Sequence, residues 1–460
     1  MARLTQVAGA LVRWSLGACA LCLILLALYV SLGRQLLPLI GDYRPELVAK
    51  ASQALGMPVG IGRLEGTWSG LAPVLVAGDV SVGSGPGALH LERVRVVPSL
   101  WRSLVSLRPQ VDTLQVEGLQ LTLEQGEDGR WALQGLPKHQ DDTPFDPGGA
   151  FASLRQLGEL NVLDSQLTVR PWQHDPVAFT YLSASLRSLL GEQRLDLRFS
   201  LPDGKPVAAQ LRARVPQDHW QGASGQAWLS LPQSDWAKWL PTGAAGQWRF
   251  QTLRAGGEVW LDWAGQHVSS AVLRLNAPRI EGAVDGRAPT AVEDVAVSAW
   301  LQRNGNGYTA IAQPLSMSVS GQRWDTRLKA VQAGNEWQVQ ADRVDLAPLQ
   351  PLLDAYAPWP EKAAMAVDSL KPRGALRNLA LTLRPQETGD RRLEFAANLD
   401  QVAFEPYHNA PGAANVSGSI SGDLGQGELR LATQDFMLHL WPIFKQPWHY
   451  KEAHARWAGG

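Results

Sequence analysis

The chain has 460 residues, 18% of them charged, with 44 glycines, 19 tryptophans and a formal net charge of -1. That length exceeds one ordinary core, so the chain either divides into domains or extends as a repeat structure, and its composition favours sheet and turn over long helix. Lysine and arginine are scattered, which argues against nucleic acid as a partner, and the only two cysteines, Cys19 and Cys22, fall in an N-terminal apolar segment, a usage compatible with an oxidising compartment.

Between Arg13 and Arg34 runs WSLGACALCLILLALYVSLG, uncharged throughout. As a helix it is about 30 Å long, the thickness of the hydrocarbon core of a bilayer. Trp14 and Tyr29 sit near its ends, where interfacial aromatics are favoured, and Leu23, Leu25 and Leu26 fill its middle. A cleaved signal peptide is the rival reading, with Arg3 and Arg13 as its basic region and residues 31–33 as a small-residue cleavage site. The apolar run exceeds a typical signal core, which argues for an uncleaved anchor. A long domain is translocated largely regardless of charge, so the body is expected outside the cytoplasm. The CxxC spacing of Cys19 and Cys22 carries no redox or zinc chemistry in hydrocarbon, and both read as small apolar residues.

Beyond the anchor, Pro45 starts and Gly56 stops a short amphipathic helix carrying Leu47, Val48, Ala51 and Leu55. From Val59 onward strand signals dominate, among them VLVAGDVSV, LHLERVRVV, LNVLDSQLTVR, AWLSL, GEVWLDW, AVLRLNA and LEFAANLDQVAF, separated by turns of Gly, Asn, Asp and Pro. In LQVEGLQLTLEQGEDGRWAL, residues 114–133, apolar positions alternate at Leu114 and Val116. They then change parity after Gly118 to Leu119, Leu121 and Leu123. The spacing predicts a bulged strand, a turn at Asp128 and Gly129, and a second strand with Trp131 and Leu133. Helices are few and short: PSLWRSLVSL with Leu100, Trp101, Leu104 and Val105 on one side, DWAKWL with Trp236, Trp239 and Leu240, and LAPLQPLLDAY with Leu346, Leu349, Leu353 and Tyr356. The last two each follow a strand, a weak repeat.

PKHQDDTPFDPGG reads as a linker, and its Asp141 and Asp142 as a solvated acidic loop rather than metal ligands. The expected organisation is a cytoplasmic tip and transmembrane anchor (1–40), a β module with short helices (41–136), a linker loop (137–150) and an extended β-groove (151–460). The final HYKEAHARWAGG stops within or just after a strand, as a truncated chain would.

No spacing supplies a nucleophile, base or metal set, and GSGPGA is a turn between strands rather than a phosphate cradle, so neither an enzyme nor a cofactor is expected. His449 and His454 are an odd number apart and would point to opposite faces of a strand. The tryptophans Trp131, Trp228, Trp260, Trp300 and Trp337 stand in apolar alternation, where a core or an apolar groove accounts for them better than sugar-stacking platforms do.

The run LERVRVVPSLWRSLVSLRPQVDTLQVEGLQLTLEQGEDGRWAL resembles the N-terminal module of the AsmA-like proteins. Three further stretches, ALGMPVGIGRLEGTWSGLAPVLVAGDVSV, ADRVDLAPLQPLL and LKPRGALRNLALTL, resemble the YhdP branch of that family. The resemblance covers most of the chain. It implies a Gram-negative inner-membrane protein, single-pass, with its bulk in the periplasm as a long twisted β-sheet curled into an apolar groove of the bridge-like lipid-transfer kind. It also implies transport of phospholipid toward the outer membrane, support of the permeability barrier, and a full-length protein considerably longer than this chain.

The physics agrees with such a role. Alternating strands give one polar and one apolar face, and a sheet that curls without closing turns the apolar face into a trough for acyl chains. Each sheltered methylene contributes roughly 0.8 kcal/mol, so lipid is held without a specific pocket. Leu114, Val116, Leu119, Leu121, Leu123, Trp131 and Leu133 are the candidate liners, though an ordinary core would use them equally well. Phospholipid and the inner membrane are the expected partners, with periplasmic or outer-membrane proteins beyond them. Two other functions stay open: an assembly factor for outer-membrane β-barrel proteins working through strand edges, and an anchored glycan-binding protein.

Overall fold

The computed structural model describes residues 2–70, 72–99, 102–103, 105, 107, 110–134, 158–172, 175–189, 191–216, 220–239, 245–356, 361–408, 411–440 and 443–459. The expected linker with Asp141 and Asp142 lies outside them, as do Leu100, Trp101, Leu104 and Leu240. The chain forms two compact units, one of residues 1–204 and 215–220, the other of residues 205–214 and 221–460.

The first unit opens with helix α1 (Ala2–Leu36), whose stretch Cys19–Leu36 has a mean hydropathy of 1.9 and is long and apolar enough to cross a membrane. Trp14, Leu23, Leu25 and Leu26 are exposed on it, and so are Cys19 and Cys22. A 3-10 segment (Leu37–Tyr43) leads into α2 (Arg44–Leu55), which stops at Gly56 with φ 68° in the left-handed region, as the Pro45 and Gly56 signals predict. Nine strands follow: β1 (Val59–Ser69), β2 (Ala72–Val82), β3 (Leu89–Pro98), β4 (Val111–Glu117), β5 (Gln120–Gln125), β6 (Trp131–Leu133), β7 (Glu159–Arg170), β8 (Val177–Leu189) and β9 (Glu192–Ser200). Neighbours are antiparallel except that β4 and β5 both pair with β7 in parallel.

The second unit carries β10 (Pro206–Arg214), β11 (Ser224–Asp235), β12 (Trp248–Ala264), β13 (His267–Val284), β14 (Thr290–Asn304), β15 (Gly307–Val319), β16 (Gln322–Ala333), β17 (Glu336–Asp345), β18 (Arg373–Leu383), β19 (Leu393–Phe404), β20 (Gly412–Gly422), β21 (Gly427–His439) and β22 (Trp448–Gly459). Each pairs antiparallel with the next in sequence. The mainly β, antiparallel-rich chain with an apolar N-terminal helix and few short helices is thus as the sequence predicts. Two helices interrupt the strands between β17 and β18: α3 (Leu346–Tyr356), which the sequence predicts, and α4 (Glu361–Leu370), which it does not. The expected helix DWAKWL is corrected to one 3-10 turn, Trp236–Lys238, because the indole of Trp236 turns back to donate to the Ala255 carbonyl at 2.7 Å.

Eight strands, and the junction between β4 and β5, contain a residue in the left-handed region. Gly118 has φ 67°, and Asp79, Asp164, Tyr181, Asp294, Asn378, Gln401, Asn415 and Asp435 have φ between 48° and 59°. All but Tyr181 and Gln401 of these non-glycines are Asp or Asn, whose short polar side chains tolerate this conformation best. At all of these but Gly118 and Asp79 the ladder also shifts register nearby, as at a β-bulge. At each the apolar alternation changes parity too: Leu75 and Ala77 precede Asp79 and Val80 and Val82 follow it, while Val292 precedes Asp294 and Val295 and Val297 follow it. The two shifts cancel, so apolar residues stay on one side of a bent strand.

Backbone groups freed at the bulges are taken up by buried hydroxyls. Ser165 Oγ donates to the Leu163 carbonyl at 2.9 Å and accepts the Leu119 N–H at 3.2 Å. Thr433 Oγ1 donates to the Asn415 carbonyl, and Asn415 Nδ2 to the Gln434 carbonyl at 2.8 Å. Both hydroxyl residues are almost wholly buried.

Asp294→Val places a β-branched side chain at φ 51° and is expected to lower stability by about 1–3 kcal/mol, whereas Asp294→Gly changes it little. Thermal denaturation of the two variants beside the parent chain checks this.

Candidate functional site

In the first unit, Leu114 and Val116 stand beside Val96 and Val94 of β3 on one flank and Leu160 and Val162 of β7 on the other. Past the Gly118 bulge, Leu121 and Leu123 stand beside Leu167 and Val169, and Leu133 beside Leu123. Trp131 pairs with Gln125, two residues along from Leu133 on the same side. The seven residues singled out by sequence therefore share one face, which continues through Phe179, Leu182 and Leu186 of β8 to Leu195 of β9. Val116 and Leu119 pack against the buried cluster of Val59, Val80 and Leu91 together with Ala51 of α2. Leu114, Leu121, Leu123 and Leu133 are half-buried, and Trp131 is 40% exposed.

The second unit repeats the pattern over a longer ladder. One row runs through Leu261, Ala271, Leu301, Ala310, Ala330, Val339, Leu381 and Phe395, each register partner of the next. Beside it runs Leu229, Val259, Leu273, Ala299, Ala312 and Leu328. These residues are half-buried and carry no charge. Nearer the bulges the same side is covered by α3, whose Leu352 and Tyr356 pack on Ala255, Ala277, Val292, Val295 and Val319. Its Leu346 packs on the cluster of Val402, Ala413, Val416 and Phe436. The Tyr356 hydroxyl donates to the Thr290 carbonyl at 2.7 Å and its ring stacks on Trp248, which fixes the end of the helix. Where Gly256 and Gly257 leave no side chain, an open depression of about 560 Å³ is bordered by Leu231, Leu275, Val297 and Pro314.

The opposite side carries the ion pairs. Arg187 meets Glu159, Arg194 meets Asp196, Arg384 meets Glu336 and Glu394, and Arg430 and Arg456 share Glu428. Hydrogen bonds from Gln338 and then Arg384 hold the Glu336 carboxyl below its ordinary range, and Arg430 does the same for Glu428. Such exposed pairs add little stability, but they keep this face charged and wet.

The tryptophans divide between the faces. Trp131 and Trp337 share the face of the apolar rows. Trp228, Trp260 and Trp300 do not: they form a cross-strand row with Val272 and Ile311 on the polar side, and Arg274 lies 5.3 Å over the Trp260 ring. The sequence expectation of groove or core is corrected for these three. Their even-numbered positions alternate with Leu229, Leu261 and Leu301, a signal hidden because both sets are apolar. His449 and His454 register with Met437 and Ala432, five residues apart along β22, so no pair of rings converges there.

Each unit thus presents an apolar face on its strands, and among the described residues one helix is long and apolar enough to cross a membrane. Residues 1–459 match the family model described as YhdP protein. The chain belongs to the YhdP family. One curated YhdP relative, the intermembrane phospholipid transporter YhdP of Escherichia coli (strain K12), is 22% identical over 475 aligned positions, covering 95% of this chain. The chain spans 35% of that relative's length. No solved structure matches it.

Tyr356→Phe removes the hydroxyl that ties α3 to Thr290, worth about 0.5–1.5 kcal/mol. Amide exchange across Leu346–Tyr356 is expected to rise severalfold, with β13 and β14 unchanged, as read by hydrogen–deuterium exchange.

Proposed function

We propose that this chain is the membrane-anchored portion of a lipid-transfer protein. Its body lies in the periplasm, its apolar face shelters phospholipid acyl chains on their way to the outer membrane, and the traffic sustains the permeability barrier there. The observation that carries the reading is the apolar face itself. Within each unit every strand contributes uncharged side chains to one side, yet apart from the part under α2 and α3 these remain half-exposed instead of closing into a core. Such a face suits a ligand of long methylene chains, each buried methylene contributing roughly 0.8 kcal/mol. The named activity of the E. coli relative, intermembrane phospholipid transport, supports phospholipid as the cargo.

The candidate liners Leu114, Leu121, Leu123, Trp131 and Leu133 then face acyl chains, while Val116 and Leu119 close the face against α2. Headgroups stay at the wet margin. No catalytic step and no cofactor enters this reading, since movement along rows of Leu, Val and Ala needs only similar side chains at successive strands.

A second reading, glycan binding, draws on one observation, the row Trp228, Trp260 and Trp300 on the polar side, with Trp300 41% exposed. A pull-down on peptidoglycan or lipopolysaccharide sugars that is lost in Trp300→Ala would favour it.

Leu301 and Gln302 are adjacent and point to opposite faces, so they form an internally controlled pair. A photo-crosslinking residue at position 301 of the full chain in cells is expected to capture phospholipid, and one at 302 is not. Equal capture, or none at 301, counts against the lipid-carrying face. Leu301→Glu is expected to reduce capture at position 273 by an order of magnitude or more.

A further inference from the structure

We propose that the seam between α1 and β1 is where phospholipid of the bilayer around the anchor passes on to the apolar face. The proposal rests on the lipid-carrying reading above and adds a place of loading and the groups that form it. The seam is built from small and aromatic residues. Tyr29 of α1 stacks obliquely on Trp68 of β1, with ring centroids 5.3 Å apart. Gly33 lies directly beneath the same indole, so close that a methyl group there would overlap the ring. Gly66 approaches the backbone of Leu37 equally closely, and Arg44 donates to the Gly62 carbonyl at 2.6 Å.

These contacts fall on the apolar face itself. Leu64 and Gly66 register with Ala77 and Leu75, which register with Val94 and Val96, and Val96 with Leu114. The last turns of the anchor therefore rest on the row that leads to the candidate liners. Tyr29 precedes Leu36, the end of the apolar span, by seven residues, or about 10 Å of helix. Trp68, against Tyr29, consequently sits below the end of the apolar span, at the depth of the acyl chains. The end of β1 thus lies inside the bilayer boundary instead of above it. Leu32, Leu36 and Leu39 are exposed alongside, continuing the apolar surface past the seam.

A second observation names the chemistry that fits. The Tyr29 hydroxyl and the Trp68 indole N–H are both buried in the seam, and among the described residues neither has a hydrogen-bond partner. Buried donors ordinarily find acceptors. Water is scarce at this depth, and the ester carbonyl oxygens of a phospholipid drawn into the seam are acceptors that carry no donor of their own. A lipid that parts the ring pair satisfies both groups while its chains meet Leu64, Leu75 and Ala77. Two glycines on opposite sides of the contact leave no interlocking side chains to prevent that parting.

The test uses the full chain in vesicles of phosphatidylethanolamine and phosphatidylglycerol, with a photo-crosslinking residue at Leu195, on the last strand of this unit's apolar face, or at Leu25 on the flank of α1. The double variant Tyr29→Phe/Trp68→Phe keeps both rings and removes both donors, while Gly33→Leu wedges the seam. In the parent chain both positions are expected to capture lipid. In the double variant, capture at 195 is expected to fall at least fivefold with capture at 25 unchanged, and Gly33→Leu is expected to do the same. Undiminished capture at 195 in the double variant overturns the seam and leaves the lipid-carrying reading standing. No capture at 195 in the parent chain, with capture at 25 intact, overturns both.

Discussion

A strand keeps one apolar side only while every second residue is apolar, and it bends sharply only where that alternation is broken. The chain reconciles the two demands by placing a left-handed residue where its apolar pattern changes parity. At Gly118 the backbone has φ 67° and the pattern steps from Val116 to Leu119; at Asp294 it has φ 51° and the pattern steps from Val292 to Val295. Were either change to occur alone, the leucines of half a strand would turn to the charged side. Everything else in the molecule depends on this pairing of backbone conformation with residue order, from the apolar rows to the ion pairs across from them.

Coverage of the apolar face also varies along each strand. Around the bulges, α2 in the first unit and α3 in the second press apolar residues on to the sheet and form true cores around Val80 and Val292. Farther along, Leu123, Leu261 and Leu301 have the same chemistry and lie outside those cores. The helices thus set how much of each face is protein interior and how much remains uncovered. The hydroxyls of Ser165 and Thr433 let the strands bend at that boundary without stranding carbonyl groups in a dry environment.

Much of this was legible before any coordinates. The parity change at Gly118 was visible in LQVEGLQLTL, because glycine between two alternating leucine series has few other meanings, and the helix of Leu346, Leu349 and Leu353 announced itself by spacing. The same parity change at Asp79, Asp164 and Asp435 was equally present in the letters, but an aspartate in a strand reads as polar decoration unless the shift on either side is noticed. Trp228, Trp260 and Trp300 misled for the opposite reason: when large apolar residues occupy both parities, alternation loses its power to assign a face, and only the register distinguishes them. The helix of residues 361–370 escaped because EKAAMAVDSL has few large apolar residues to mark a stripe.

In the second unit every strand pairs with its neighbour in sequence. A hairpin laid against the previous strand therefore never awaits a distant segment, and the entropy of closing each loop stays small. The first unit departs from this at β5, which pairs with β3 as β4 does, and at β7, which pairs in parallel with β4 and β5. A chain of this kind can assemble in the order in which it emerges, leaving a single unfinished edge at any moment. For a sheet that stays largely apolar on one side, that order of growth limits aggregation while the face is still incomplete.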